Sequence, residues 1–267
     1  MDALIDNIIA VSYICVVTKT IPILLALILG CAGQEKQDLR IDRFLNSLNP
    51  VSEISSLKRL TQDGRCIYPI FAPGDTIIYF RRLLAANNEA ASGKEYKDLV
   101  KPFGMNLRTG ELLTLSADYN YPPPNYADTA NFPELSAEPV ILGLKSPRNG
   151  IIAFETTEKG PSGRSKIYLR DGDMLSQLSY GDVSCYLENF SASGRYISAR
   201  LGWDPSWIIL FDLDNGKNYK IERQSDMIDY MTCFSSDDRQ MIFIRSESRL
   251  VMDGASFGDI WLLTFNQ

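Results

Sequence analysis

The chain has 267 residues, of which 45% are apolar and 22% are charged, so it is long and apolar enough to bury a core in one or two domains. Its net charge of -6 argues against a nucleic-acid partner, because phosphate binding requires a cationic surface. The absence of histidine excludes Ser-His-Asp and Cys-His nucleophile pairs and imidazole metal ligands, and leaves carboxylate-only chemistry, as in glycosidases.

Residues 1–31 have the properties of an export signal. A ten-residue apolar core at 21–30 lies behind Lys19 and is followed by Cys31, which is too short a core to span a bilayer alone. The sequence Ile-Leu-Gly-Cys that ends at Cys31 resembles the lipobox of bacterial lipoproteins. That resemblance implies that Cys31 is diacylated and becomes the new N-terminus. The alternative is a transmembrane anchor at 8–30, and either anchor holds the remaining chain at a membrane, outside the cytoplasm.

Residues 32–52 predict a tether with one short helix. The segment begins with polar residues and becomes weakly amphipathic, and Pro50 ends the pattern. The apolar residues near helical spacing are Leu39, Ile41, Phe44, Leu45 and Leu48.

Four similar stretches organise the rest of the chain. They begin at Phe71, Lys145, Phe190 and Phe234, align without a gap, and each combines an anchor, a turn of small and polar residues, and an apolar run. This pattern is typical of a β-hairpin, and its return at intervals of about 45 residues over the last three stretches predicts stacked four-stranded units. We therefore expect an all-β fold, a small β-propeller of about four four-stranded blades, in residues 53–267.

The repeats assign strands to each blade. Blade one is predicted at 66–71, 75–81, 99–107 and 110–116. Blade two is predicted at 138–145, 150–156, 164–169 and 174–179. Blade three is predicted at 183–190, 194–201, 206–213 and 216–222. Blade four is predicted at 228–234, 239–246 and 257–265, and we expect 53–61 to supply its missing fourth strand. That pairing would close the ring and remove its free edges.

The repeats resemble those of TolB-like propellers. The resemblance covers about residues 53–265 and is carried by Phe190–Gly194, Phe234–Asp238, Lys166–Gly172 and Trp207–Gly216. It implies a secreted or envelope-bound binding scaffold, in which the loop-rich face or the mouth of the central channel docks a protein or peptide. Neither a cofactor nor a metal is expected.

Long insertions identify a candidate contact surface. In a meander, the connections from second to third strand and from each blade to the next share one face, and insertions at 82–101 and 117–137 fall there. The second insertion combines aromatic residues, a proline run and no positive charge, which favours partner contact. Its candidate contact residues are Tyr119, Tyr121, Tyr126 and Phe132. Alternatively, the last three fold back to cap the ring.

Carboxylates form the one catalytic arrangement that this composition allows. Glu138, Glu188, Asp226 and Asp229 lie at or within the predicted innermost strands, where two of them would approach the channel mouth. The alternative is that they are solvated acids at strand ends.

The cysteines predict buried thiols. Cys66 and Cys185 each lie five residues before an anchor and so occupy equivalent inner-strand positions. With Cys233 the mature chain has three cysteines besides Cys31, so at least one stays unpaired.

These features predict a lipid-anchored protein of the bacterial cell envelope, exposed to the periplasm or the cell surface. We expect it to bind an envelope protein or peptide without catalysis. The alternatives are a carboxylate-dependent glycan hydrolase or lyase on a propeller, and a structural subunit of a larger envelope assembly.

Overall fold

The computed structural model divides the chain into two units, Met1–Leu45 and Asn46–Gln267. The residues that the structure describes are 42–84, 99–116, 119, 140–147, 149–157, 163–179, 183–202, 205–222, 226–247, 251–252 and 255–266. In the first unit, residues 42–45 are helical. No helix among the described residues is long and apolar enough to cross a membrane.

The second unit is built from strands. It begins with β1 (Asn49–Pro50) and β2 (Ser55–Arg59). The first blade contains β3 (Cys66–Phe71), β4 (Ile77–Leu83), β5 (Val100–Asn106) and β6 (Leu112–Thr114). The second contains β7 (Val140–Lys145), β8 (Ile152–Thr157), β9 (Ser165–Asp171) and β10 (Met174–Gln177).

The third blade contains β11 (Cys185–Phe190), β12 (Tyr196–Leu201), β13 (Trp207–Asp212) and β14 (Lys217–Lys220). The fourth contains β15 (Met227–Phe234), β16 (Gln240–Glu247) and β19 (Asp259–Phe265). A small hairpin of β17 (Val251–Met252) and β18 (Ala255–Ser256) separates β16 from β19.

The predicted fold class is confirmed: the second unit is a small all-β propeller of four four-stranded blades. Within each blade, neighbouring strands pair antiparallel in meander order, and every predicted strand overlaps an observed one. The fourth blade has the order β15-β16-β19-β2, so its outermost strand comes from the N-terminal side of the chain. Leu57 faces Leu263 and Arg59 faces Trp261 in this pairing, as ring closure requires.

A contact that the sequence analysis does not predict involves β1. This strand pairs parallel with β14, where Asn49 faces Tyr219 and Pro50 faces Lys220. Val51 follows directly and is buried in the core shared by the third and fourth blades. One short segment therefore extends the third blade and then completes the fourth.

The fourth blade is buried on both faces. Alternate residues of β16 serve two cores, with Met241 and Phe243 packed against the third blade and Ile242 and Ile244 packed against the first. Side chains of a strand alternate between the faces of its sheet, so a strand covered on both sides needs a continuous apolar run. This explains the uninterrupted Met-Ile-Phe-Ile sequence.

Backbone bridges join the fourth blade to both neighbours. Cys66 of the first blade exchanges two hydrogen bonds with Gly258, its N–H donating to the Gly258 carbonyl at 2.8 Å and its carbonyl accepting at 3.0 Å. On the other side, the Asp229 N–H donates to the Ser206 carbonyl at 3.2 Å, and the Ser206 hydroxyl donates to the Asp229 carbonyl at 2.9 Å. The two bridges lie near the first residues of β3 and of β15. These residues are on the face of the propeller that carries the connections from each blade to the next, which we call the loop-bearing face.

Aspartates in the hairpin turns connect the same blades at their opposite ends. The Asp238 carboxylate accepts hydrogen bonds from the Ser191 hydroxyl and the Ser193 N–H, both at 2.9 Å. Asp75 accepts in the same way from the N–H and hydroxyl of Ser236. Both aspartates have positive φ, at 57° and 55°, a conformation that aspartate tolerates better than most residues. The aligned residue of the third blade is Gly194, which has no side chain to make this contact.

We predict that Gly258→Ala strongly destabilises the protein. An added Cβ would lie 2.4 Å from the Arg245 carbonyl oxygen, so the backbone bridge to the first blade would have to shift. We expect the free energy of unfolding to fall by about 2–3 kcal/mol, as in other overpacked interiors, measured by chemical denaturation.

Gly104→Ala is the control, because the nearest atom to its new Cβ is 3.4 Å away. Its free energy of unfolding should change by less than about 1 kcal/mol. Equal effects of the two substitutions would contradict the importance of the close approach at Gly258.

Candidate functional site

Several of the predicted site residues lie outside the described residues. These are Cys31, Tyr121, Tyr126, Phe132 and Glu138. Their assigned roles therefore remain predictions from the sequence.

Tyr119 is held against the first blade. Its ring meets that of Tyr79 on β4 edge to face, with centroids 5.0 Å apart, and its N–H donates to the Ser116 carbonyl at 2.9 Å. A hydrogen bond with Tyr79 raises the pKa of the Tyr119 phenol. Tyr119, near the start of the aromatic insertion, thereby contacts the second strand of this blade.

Each of the four innermost strands contains one break in register. The breaks in β3 and β15 are at aligned positions, that in β11 overlaps them, and that in β7 lies closer to the start of its strand. Tyr68 and Met231 are at the same position of their repeats and have φ values of 54° and 56°, which are uncommon for bulky residues. A bulge leaves backbone groups unpaired within its own sheet, so these groups need partners elsewhere.

Glu188 supplies partners for the bulge in β15. Its buried carboxylate accepts hydrogen bonds from the N–H of Met231 at 2.9 Å and of Thr232 at 3.4 Å, and lies 3.6 Å from the guanidinium of Arg200. Burial raises the pKa of Glu188, while Arg200 and the two N–H groups act in the opposite direction. Glu188 thus joins the third blade to the fourth.

Glu155 plays the corresponding part between the second and third blades and is not among the residues predicted from the sequence. It lies in the buried strand β8, and its carboxylate accepts a hydrogen bond from the Leu187 N–H, in the bulged strand β11, at 3.1 Å. Burial raises its pKa. The available signal was a carboxylate directly after the apolar run from Ile151 to Phe154, within a predicted strand.

The joint between the fourth and first blades uses different chemistry. In β3, Pro69 is the residue aligned with Thr232 and Glu188, and proline has no N–H that needs an acceptor. Thr232 itself contacts the third blade, where its hydroxyl is bonded to the Ser198 hydroxyl at 2.6 Å. Carboxylates thus accept hydrogen bonds from bulged strands at two described joints, through Glu155 between the second and third blades and Glu188 between the third and fourth.

The other two predicted carboxylates differ from each other. Asp229 is fully buried and forms a two-pronged ion pair with Arg245, with oxygen-nitrogen distances of 2.8 and 2.9 Å. The Arg245 guanidinium also lies 4.8 Å from the ring centre of Trp261. Asp226 is exposed in the turn before β15, as the solvated alternative predicts.

A cavity opens on the loop-bearing face between the fourth and first blades. Its volume is about 320 Å³. Trp261, Phe257 and Met227 supply apolar surface, while Arg59 and Asp259 form an ion pair in its wall. The cavity thus combines an aromatic surface with the Arg59–Asp259 ion pair.

The cysteine prediction agrees with the structure in the described part of the chain. Cys66, Cys185 and Cys233 are free thiols, and the first two are fully buried. Burial raises the pKa of Cys66 and of Cys185 to about 12 and that of Cys233 to about 11. These thiols are therefore protonated and unreactive near neutral pH.

Comparisons with known proteins find distant structural similarity. No family model matches the chain, and no curated protein matches it. TolB from Acinetobacter baumannii is similar at 11% identity and a TM-score of 0.34, over 77% of this chain and 44% of that one. A putative TolB from Agrobacterium tumefaciens is similar at 13% identity and a TM-score of 0.34, over 77% and 68%.

The β-propeller domain of the Trilobed protease from Pyrococcus furiosus is similar at 11% identity and a TM-score of 0.30, over 76% of this chain and 54% of that one. This chain thus spans less than half of the Acinetobacter TolB. The propeller assignment rests on the four sheets themselves.

We predict that Glu155 makes stability fall as pH rises. Its raised pKa means that the folded state binds the proton more tightly than the unfolded state. This contribution is complete below the ordinary carboxyl pKa of 4.5 and is lost as pH rises through the folded pKa. Above pH 4.5, the free energy of unfolding should fall less steeply with pH in Glu155→Gln than in the wild type.

Denaturant unfolding at a series of pH values measures this slope. Glu53→Gln, at an exposed position, is the control and should follow the wild-type slope. Parallel curves for Glu155→Gln and the wild type would show that the buried carboxylate has an ordinary pKa.

Proposed function

We propose that the protein is a membrane-anchored scaffold of the bacterial cell envelope, and that its propeller binds another envelope protein or peptide without catalysis. The observation that supports this most directly is the use of the inner-strand carboxylates. Glu155 and Glu188 accept hydrogen bonds from the backbone of the next blade, and Asp229 is paired with Arg245. The carboxylates of Glu155 and Glu188 therefore hold neighbouring blades together, and that of Asp229 is occupied by an arginine of its own blade.

Catalysis would require different surroundings. A general acid or base must come within hydrogen-bonding distance of the substrate atom that it protonates or deprotonates. Glu188 and Asp229 are buried, and their oxygens contact main-chain N–H groups or an arginine. Moving either carboxylate toward a substrate would leave those buried partners unsatisfied, at a cost of several kcal/mol, about 1–3 for each group.

The loop-bearing face is the proposed partner surface. Both long insertions belong to this face by strand order, the cavity beside Trp261 opens there, and Tyr119, near the start of the aromatic insertion, contacts the first blade. Rigid aromatic side chains contribute large contact areas with little loss of conformational entropy. We therefore place the partner against Tyr119, Tyr121, Tyr126 and Phe132.

A glycan hydrolase or lyase is the alternative function. Burial raises the pKa of both Glu155 and Glu188, and a carboxyl group that keeps its proton is what a general acid requires. If the alternative holds, envelope polysaccharides should be cleaved by the wild type and not by Glu188→Gln. A scaffold should cleave none of them.

We predict that removing two aromatic side chains of the insertion weakens partner binding. The amount of partner that copurifies with the double variant Tyr121→Ser, Tyr126→Ser should be about tenfold lower than with the wild type, or lower still. Aromatic residues at interface centres often contribute 2 kcal/mol or more to the binding free energy. The measurement is affinity purification of the full-length chain from detergent-solubilised membranes with quantitative mass spectrometry.

Leu112→Ser serves as the control, because Leu112 is an exposed apolar residue on the outermost strand of the first blade. It should retain the partner at the wild-type level. Equal retention by the double variant and the control would place the partner elsewhere on the protein.

We predict that Cys31→Ala prevents lipid attachment. A diacylated Cys31 should incorporate labelled palmitate in cells, and the alanine variant should incorporate none. A wild-type chain that stays unlabelled yet sediments with membranes would support the transmembrane anchor at 8–30 instead.

A further inference from the structure

The outermost strand of the second blade exposes large apolar side chains. Met174 is 77% exposed, the highest value among the large apolar residues of the described chain, and its neighbour Leu175 is 48% exposed. Because they are adjacent in β10, they lie on opposite faces of the sheet. A partner on one face of the blade would cover only one of them, whereas a strand added at the edge would contact both.

The other blade edges are protected in ways that β10 is not. The third blade is extended by β1, and β2 at the edge of the fourth blade carries Lys58 and Arg59. On the first blade, β6 has only three residues. Covering strands, cations and short length are all common means of preventing edge pairing. β10 contains four residues without a charge or a proline.

The hydrogen-bonding pattern between β10 and β9 shows which backbone groups of β10 face away from the blade. The Leu178 N–H donates to the Ile167 carbonyl at 2.9 Å, and the same register places Ser176 opposite Leu169. In an antiparallel pair, hydrogen-bonded positions alternate, so Ser176 and Leu178 bond to β9. The N–H and carbonyl groups of Leu175 and Gln177 therefore point away from the blade.

We propose that a second copy of this chain pairs with β10, with the two strands antiparallel and Ser176 on the two-fold axis. Leu175 of each copy then lies opposite Gln177 of the other, and their outward backbone groups exchange four hydrogen bonds. On the opposite face, Met174 of each copy lies opposite Leu178 of the other. Both exposed apolar side chains are thereby covered by a single symmetric contact.

Charge also favours a second copy as the occupant. Residues 174–178 carry no charge, so the pairing places no like charges opposite each other, and Asp173 lies just beyond the paired span. The contact is small compared with the roughly 1,000 Å² of a stable interface, so association depends on protein concentration. Confinement to a membrane would raise that concentration.

Disulfide trapping of the full-length chain in detergent tests the register. In the proposed pair, Ser176 faces itself at a non-hydrogen-bonded position, where Cα atoms are about 4.5 Å apart, within the range for a disulfide. Ser176→Cys should therefore give at least about tenfold more disulfide-linked dimer under mild oxidation than Thr114→Cys, its control on the exposed edge strand β6. The wild type measures any background from the native cysteines.

A second substitution tests the edge itself. Adding Leu175→Lys to Ser176→Cys places a charge on the pairing strand and should lower the trapped dimer by about tenfold. Adding Leu112→Lys, on the edge of the first blade, should leave it unchanged. Equal trapping at positions 176 and 114, or a chain that stays monomeric with a different protein bound at β10, would overturn the proposal. Neither result depends on the identity of the partner at the loop-bearing face.

Discussion

The fourth blade depends on a strand that comes from the opposite end of the propeller sequence. Without β2, strand β19 would be an open edge, and the core shared by the third and fourth blades would lose the packing of Ile54 and Leu57. The same segment begins with β1 on the third blade and buries Val51 between the two blades. Two adjacent blades are thus joined by a few residues that are distant from both in sequence.

Contacts between neighbouring blades follow one plan that the sequence modifies at each joint. The fourth blade is joined to its neighbours by backbone bridges at one end and by Asp75 and Asp238 at the other. The second and third blades are joined instead through Glu155, and Gly194 cannot provide the turn contact. The buried carboxylates of Glu155 and Glu188 are best explained by the bulged strands whose N–H groups they accept, because an unpaired buried N–H costs about 1–3 kcal/mol.

The repeats predict the strands well because a hairpin requires local features: an anchor, a turn and an alternating run. The supply of β2 by the N-terminal segment was also predictable, since one strand was left over and one was missing. β1 was not predictable, because two residues that end in proline have no strand pattern. The role of Glu155 was not predicted for a related reason. Its partner is the backbone N–H of Leu187, and a backbone partner cannot be identified from residue types.

Bulged inner strands also explain why acidic residues at the centre of this propeller were attractive catalytic candidates. A bulge presents N–H groups toward the preceding blade, and a buried carboxylate there can accept two of them at once, as Glu188 does. The carboxylate is then desolvated and its pKa rises, which is also a common property of catalytic acids. A raised pKa therefore distinguishes the two roles only together with the hydrogen-bond partners.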